Sequence, residues 1–315
     1  MFSNLKILRH PERLAEWMRR GHTSVPIGVD LHLTDFCPHK CPHCNGKPNG
    51  STMDYGDAAR IVQELAGLGC KAIHFVGGGE PLAHKECVNL AELAVFHGMS
   101  VGLLTNLYRL PDVERMREAF TWIRVSLDAI DVEGYRQKHG VDTFEEVCEN
   151  IQTLTNGKAD CDVGIGYLVN NENKHEMSSA VILAKKLGTK YIQFRPMDGC
   201  KLKIADEQLR LFRCLSTKTF EVSVPDAKFR PTRKYTECHG CHFWTLIRAN
   251  MDVEVCCQTL QPCTIGNLRD CTFDALWRTA DISIDLAKCP VTCRMAANNE
   301  LLNQIARPIE HEAHI

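Results

Sequence analysis

Three cysteines crowd the stretch "LTDFCPHKCPHC": Cys37, Cys41 and Cys44. Thiolates are soft ligands, suited to zinc or to iron–sulfur clusters. A structural zinc site is normally closed by a fourth ligand. His39 or His43 could supply it, although both lie inside the loop, where closing a tetrahedron with the flanking cysteines is sterically awkward. A cluster held by three cysteines instead leaves one iron open to a substrate or cofactor, as a catalytic zinc keeps one position open. The spacing favours the cluster, with zinc as the alternative.

A second concentration lies near the end of the chain: Cys238, Cys241, Cys256, Cys257, Cys263, Cys271, Cys289 and Cys293. Between the two, Cys70, Cys87, Cys148, Cys161, Cys200 and Cys214 read as small buried hydrophobes. The glycine run "VGGGEP" (76–81) is the other chemical feature. Glycines let backbone carbonyls approach a ligand closely, and Glu80 brings a carboxylate that suits a cationic ammonium.

The rest of the composition narrows the setting. The chain has 315 residues, enough for one large domain or a domain with a smaller appendage. Its formal net charge is −2 with mixed signs along the chain, so no nucleic-acid partner is expected. No run reaches the ~18 apolar residues of a membrane span, and the N-terminus lacks an apolar signal-peptide core. With 17 cysteines and no export signal, a reducing cytoplasm is the expected home. Clustered cysteines there read as metal ligands or catalytic thiols rather than disulfides.

The elements that must position these residues alternate. Strands are expected at "IGVDLHL" (27–33), "KAIHFVGGGEP", "SVGLLTN", "WIRVSLDA", "DVGIGYLVN" and "YIQFRP", with helical periodicity in the stretches between them. Asp54 is the N-cap and Gly69 the stop of the helix after the cysteine loop. Six strands alternating with helices argue for parallel β/α units, whose chemistry sits at the strand C-terminal ends. The cysteine triplet, "GGGEP", "TN", "SLD" and "FRP" all fall at such ends. After Pro196 the pattern breaks. The expected division is an N-terminal extension (1–26), a core (27–200), a linker (201–235) and a C-terminal domain with tail (236–315).

"CPHKCPHC" matches the C-x3-C-x2-C signature of radical S-adenosylmethionine (radical SAM) enzymes, and the resemblance continues through the core. It implies an α/β fold, a partial (β/α)6 TIM-like barrel. It also implies that Cys37, Cys41 and Cys44 hold a [4Fe–4S] cluster whose open iron chelates SAM. In that family, reductive cleavage of SAM yields a 5′-deoxyadenosyl radical that abstracts a substrate hydrogen, with an electron donor of flavodoxin or ferredoxin type. His43 stands where an aromatic residue usually lies near the adenine. Gly77, Gly78, Gly79 and Glu80 resemble the segment that meets the SAM amino group. Thr105, Asn106, Ser126, Asp128 and the stretch 164–170 resemble later strand ends that contact ribose, carboxylate and adenine. Arg195 in "FRP" resembles a sixth-strand residue able to approach a carboxylate or a second cluster.

The C-terminal cysteines resemble the extension called SPASM when long and twitch when short. The count from Cys241 to Cys256 fits its opening, with Met251 at the usual glycine position and Asn250 beside it able to turn left-handed. The resemblance implies one auxiliary [4Fe–4S] cluster on Cys241, Cys256, Cys289 and Cys293, with Cys238 and Cys257 as alternative ligands. A structural zinc on Cys238, Cys241, Cys289 and Cys293 is the other reading. Cys263 and Cys271 read as packing residues, or one as a hydrogen-atom donor. The leading functional expectation is oxidation of a small polar substrate (a sugar, cyclitol or nucleoside) at a hydroxyl-bearing carbon, the auxiliary cluster taking the second electron. An epimerase with a cysteine hydrogen donor, a peptide-modifying maturase and a glycyl-radical activase are the alternatives. With residues 1–26 alone ahead of the first strand, no peptide-recognition domain is expected there, although a separate protein could supply one.

Overall fold

The computed structural model describes residues 3–307 except 45, 47–49, 158–159, 231, 257–262 and 292, and the backbone alone at 226–227. Its strands are β1 (Gly28–His32), β2 (Ala72–Val76), β3 (Ser100–Thr105), β4 (Trp122–Ser126), β5 (Asp162–Val169), β6 (Tyr191–Pro196), β7 (Glu221–Ser223), β8 (Trp244–Ile247), β9 (Asp252–Glu254) and β10 (Thr264–Asn267). They form one sheet in the order β10-β9-β8-β1-β2-β3-β4-β5-β6-β7. Neighbours from β1 to β7 are parallel, β8 joins the other edge of β1 in parallel, and β8, β9 and β10 run antiparallel. The outermost strands β10 and β7 do not pair with each other, so the barrel is partial and open.

The helices are α1 (Pro11–Arg20), α2 (Tyr55–Gly67), α3 (Cys87–Phe96), α4 (Val113–Ala119), α5 (Val132–His139), α6 (Phe144–Thr155), α7 (Met177–Lys186), α8 (Asp206–Cys214), α9 (Asp226–Phe229), α10 (Phe273–Thr279) and α11 (Ala296–Ala306). α2 to α8 occupy the parallel crossovers. Asp54 caps α2 by accepting from Asp57 N–H, and Gly69 turns left-handed beyond its end at φ +89°. Strand burial alternates as the pleat requires. In β4, Ile123 and Val125 are fully buried, whereas Trp122, Arg124 and Ser126 keep partial exposure on the concave side. Glycines on that side make room for aromatic rings. A Cβ at Gly28 would fall 2.2 Å from the Trp244 ring, and one at Gly102 2.2 Å from the Trp122 ring.

Residues 201–235, expected as a linker, carry α8, β7 and α9, and β7 extends the parallel sheet beyond β6. Their signal is faint because α8 buries only Leu209 and Phe212 and β7 has three residues. α5 was not expected. Asp131 caps it through Gly134 N–H at 2.8 Å, and Gly140 ends it at φ +67°. The N-terminal segment packs against the C-terminal one: Ile7, Leu14, Trp17, Ile27, Phe243 and Leu302 form one apolar cluster. Trp277 Nε1–H also donates to Thr23 O at 2.9 Å.

Candidate functional site

The chain leaves β1 into a loop whose ends are stitched together. Thr34 bridges Thr52, and Asp35 N–H donates to Ser51 O at 2.8 Å. Against this loop lies the glycine run. Gly79 N–H donates to Thr34 O at 3.0 Å and Glu80 N–H to Phe36 O at 2.8 Å. The contact is too close for side chains: a Cβ on Gly78 would sit 2.1 Å from Asp35 Oδ1, and one on Gly79 2.1 Å from Phe36 O. In this structure the glycines therefore serve loop-to-loop packing first.

Glu80 is buried, and its carboxylate accepts from Thr105 Oγ1–H at 2.6 Å, Asn106 N–H at 2.7 Å and Leu82 N–H at 2.9 Å. Burial nevertheless pushes its carboxyl up to about 7, against the relief from these donors. Three of its four lone-pair sites are thus committed to joining the ends of β2 and β3. Asn106 turns its amide to the cysteine loop, with Nδ2 3.7 Å from Cys37 Sγ. Gly46 N–H points to Cys44 Sγ at 3.3 Å. Burial, then the neighbouring thiols Cys37 and Cys44, lifts Cys41 to about 12.

Cys41 touches a residue the sequence did not single out. Its Sγ lies 3.5 Å from Nδ1 of His139, at the end of α5. His139 Nε2 is 3.1 Å from Leu127 O, so Nε2 donates there and Nδ1 faces the sulfur as an acceptor. Lys40 N–H donates to His139 O at 3.0 Å, docking α5 on the loop. Asp128 sits in the left-handed region at φ +54° and is buried. Its Oδ1 accepts from Leu168 N–H at 2.6 Å, and its Oδ2 lies 3.6 Å from His139 Nε2 and 3.9 Å from His43 Nε2. Left-handed backbone at a bulkier residue than glycine costs roughly 1–3 kcal/mol and persists where surroundings over-determine it. Ser126 stands at the end of β4, in register with Gly166 of β5.

Among the described residues, His39, Cys41 and His139 alone form a group of three metal-ligating side chains with ligand atoms within 4.8 Å of one another. His39 is therefore the loop histidine brought to Cys41, while His43 turns to Asp128. Both ring nitrogens of His39 are buried without a hydrogen-bond partner. Three thiols in one loop, met by N–H donors from Asn106 and Gly46, suit a soft metal or an iron–sulfur cluster.

The C-terminal cysteines gather behind β8. Cys238, Cys241, Cys256, Cys289 and Cys293 line one small cavity together with Trp244 and Arg294. A hydrogen bond from Cys241 draws the Cys238 thiol down to about 7, and one from Cys289 draws Cys293 down to about 6, each partner being pushed up in exchange. Asn299, fully buried on α11, accepts from His239 and Gly240 N–H at 2.8 and 2.7 Å and reaches Cys238 Sγ at 3.5 Å. Arg233 donates to Leu286 O and Cys289 O, both at 2.7 Å, and so holds the turn that presents Cys289. Cys263 lies beside Cys256, whose N–H is 3.3 Å from its sulfur. Cys271 is exposed. Cys257 lies outside the described residues. The hairpin turn places Met251 itself, not Asn250, in the left-handed region at φ +70°. Asn250 instead accepts from Asp252 N–H at 3.2 Å.

The cavity communicates with the barrel through one ion pair. Arg294 Nη2 lies 2.8 Å from Asp30 Oδ2 on β1, and Trp244 Nε1–H donates to Asp30 Oδ1 at 2.9 Å. Burial pushes the Asp30 carboxyl up, but Arg294, His74 and Trp244 more than reverse this and hold it well below the usual carboxylate range. His139, Asn299, Arg233 and Arg294 were not legible as site residues. Only Arg294, directly after Cys293, lay beside a recognised motif.

The open parallel β/α barrel thus carries a glycine-walled thiol loop at its strand C-terminal ends. Residues 31–183 match the radical SAM superfamily. This core is therefore similar to radical SAM domains. An AdoMet-dependent heme synthase of Methanosarcina barkeri is 30% identical over 174 residues, covering 53% of this chain and 49% of that protein. A PqqA peptide cyclase of Rhodopseudomonas palustris is 39% identical over 87 residues, 26% of this chain and 22% of its own. Mycofactocin maturase MftC of Mycolicibacterium smegmatis is 26% identical over 231 residues, 69% of this chain and 58% of its own. The chain thus spans about half, or less, of the first two of these relatives. Streptococcus suis SuiB, bound to precursor peptide SuiA, shares the fold with TM-score 0.67 and 14% identity, covering 90% of this chain and 74% of its own. Among the described residues no helix is long and apolar enough to cross a membrane.

Proposed function

We propose that this enzyme modifies a peptide, with hydrogen abstraction at the barrel mouth and a second cluster in the C-terminal thiol pocket taking the remaining electron. The observation that carries the two-centre reading is the convergence of five thiols from distant segments on one cavity, tied to the barrel interior by Arg294 and Asp30. The peptide is favoured by the relatives, which include a peptide cyclase and a maturase matched along 69% of this chain. This displaces oxidation of a small polar alcohol as the leading reading.

Cys37, Cys41 and Cys44 would hold the first cluster, and four of Cys238, Cys241, Cys256, Cys289 and Cys293 the second, with Cys241, Cys256, Cys289 and Cys293 as the set the resemblance implies. When bound, the first cluster supplies the electron that splits SAM, and the second accepts the electron a substrate radical gives up. The chain's own residues do the positioning. Glu80 locks the β2 and β3 ends around the loop and keeps one lone-pair site for a cationic ammonium. Gly77, Gly78 and Gly79 let that loop close. Asn106 orients Cys37, and His139 buttresses Cys41. His43, Ser126 and Asp128 line the side of the mouth assigned to the nucleoside. A flavodoxin- or ferredoxin-type protein is the proposed reductant.

Iron, sulfide and zinc measured after anaerobic reconstitution test this on the wild type and on a Cys37/Cys41/Cys44→Ala variant. The variant is expected to keep about four irons and lose SAM cleavage. Zinc in place of iron there would make the C-terminal thiols structural. Cys289→Ala is expected to cleave SAM without forming product. Mass spectrometry on peptide substrates should show loss of two hydrogens. The same loss confined to a sugar, cyclitol or nucleoside would restore alcohol oxidation, and an unchanged mass with solvent deuterium would indicate epimerisation.

A further inference from the structure

The concave face of the sheet carries an excess of positive charge that the radical chemistry does not require. Arg124 on β4 and Arg195 on β6 converge over Gly166 of β5: a Cβ there would lie 3.4 Å from Arg124 Cδ and 3.5 Å from Arg195 Nη2. Arg124 Nη1–H donates to the neutral Gln193 Oε1 at 2.6 Å. Arg195 Nε is buried with no hydrogen-bond partner. Neither arginine forms a salt bridge with a carboxylate among the described residues. Arg294 stands over Trp244 at 5.9 Å, and Lys228 adds a fourth cation nearby. Among the described residues the anions around them are Asp30, which is engaged with Arg294, Trp244 and His74, Asp128, which is engaged with Leu168 N–H, and Asp198. Burial, then Arg195, draws the Arg124 guanidinium down to about 9. Arg195 is also lowered by burial, although Asp128 and Asp198 oppose this.

Neither charge is neutralised by contact among the described residues: both arginines keep partial exposure, Asp30 acts on Arg124 and Asp128 and Asp198 on Arg195 from beyond salt-bridge distance, and guanidinium donors left in this state are ones a ligand can complete. The guanidinium fork matches a carboxylate bidentately. Arg195, at the end of β6, faces the Asp128 side of the cysteine loop, whereas Arg294 lines the C-terminal thiol cavity. An anion held between them would lie between the two thiol sites.

We propose that the substrate carries a carboxylate and that Arg124 and Arg195, with Arg294 at the rear, hold it inside the barrel. This rests on the reading of the barrel mouth as the reaction site and names the substrate class that site takes. Atoms of SAM are not the intended partner, and the experiment separates the two.

Isothermal titration of the reconstituted holoenzyme with saturating SAM would use four probes. These are Ac-Ala-Ala-Glu-amide, Ac-Ala-Ala-Ala with a free C-terminus, Ac-Ala-Ala-Gln-amide and glutarate. At least one of the acidic probes is expected to bind tenfold or more tighter than the neutral Gln peptide, weakening as salt rises. The Glu peptide leading would assign a side-chain carboxylate, and the free-acid peptide a chain end. Arg195→Gln and Arg124→Gln are each expected to weaken that binding at least tenfold, with Arg195→Lys intermediate and SAM affinity retained. Equal binding of acidic and neutral probes, no acidic probe bound at millimolar concentration, or an Arg195→Gln variant that loses SAM but not the probe would each overturn the proposal. Binding of glutarate alone, lost in Arg195→Gln, would keep the carboxylate site while removing the peptide reading.

Discussion

Replacing Gly79 by alanine tests how the thiol loop is held. The added methyl falls 2.1 Å from Phe36 O and 2.5 Å from the carbonyl carbons of Asp35 and Phe36, where ordinary contact begins at 3.4 Å. The obstacle is backbone, so it must retreat by about an ångström. That retreat pulls on two hydrogen bonds, Gly79 N–H to Thr34 O and Glu80 N–H to Phe36 O. Their loss costs about 1 kcal/mol each, and overpacking strain adds about 1–3 kcal/mol. Alanine's smaller entropy in the unfolded chain returns about 0.4–1 kcal/mol, leaving a net cost of about 2–4.6 kcal/mol. Gly78→Ala is the internal control, because its nearest obstacle is the side-chain oxygen of Asp35 at 2.1 Å. A side chain can rotate at a cost of about 0.5–1.5 kcal/mol. Urea midpoints and iron retained after desalting the reconstituted protein report the two effects. Gly79→Ala is expected to lose about half of the iron, the share of the N-terminal site, while Gly78→Ala keeps most of it. Equal behaviour of the two variants, or wild-type iron in Gly79→Ala, would refute the loop-packing argument.

The carboxyl of Glu80 sits near 7 when folded, against 4.5 ordinarily. Between those values the folded chain binds a proton the unfolded chain lacks, so the stability from this group is full below about pH 4.5 and is lost as pH rises through about 7. Glu80→Gln should flatten the fall in urea midpoint between pH 5 and 8, and parallel curves would contradict it. Asn299→Ala leaves the buried Gly240 N–H and the part-buried His239 N–H unpaired, for a loss of about 2–4 kcal/mol. Metal content in the Cys37/Cys41/Cys44→Ala background should fall with it, and unchanged content would remove Asn299 from the thiol cavity's support. Met251→Gly relieves a left-handed conformation worth about 1–2 kcal/mol but exposes a cavity worth about 1.5–3 kcal/mol. It should therefore shift stability by less than about 2 kcal/mol, whereas β-branched Met251→Val should cost more, and thermal melts compare them.

The parallel core was legible because each of β1 to β6 is a short apolar run ended by a glycine, polar or proline turn, with helical spacing between. β7, α5 and α8 escaped for want of signal: three residues, eight residues with two buried, and nine with two buried. The cysteines and the glycine run were legible because their spacing is local. His139 was not, since its contact with Cys41 spans 98 positions and depends on where α5 docks. Nor does anything in "WTLI" show that it will pair with "GVDLH". Arg195 was legible from "FRP", but Arg124 was not, because alternate strand residues face either a helix or the barrel, and only the assembled sheet shows that the two meet.

The pairing of β8 with β1 has a consequence for how the molecule is made. Trp244 meets Asp30 across 214 positions of chain. A ribosome therefore releases β1, with one edge of backbone donors and acceptors unpaired, long before the strand that covers it exists. At ~5–20 residues per second, that edge stays open for roughly ten to forty seconds. During this interval β1 is a template for pairing with other nascent chains, while the cysteine loop that follows it is already outside the ribosome. Under the proposed two-centre reading, metal delivery to the first thiols would thus begin during synthesis, whereas the second set, which draws on Arg233 and α11, would wait until those segments are made.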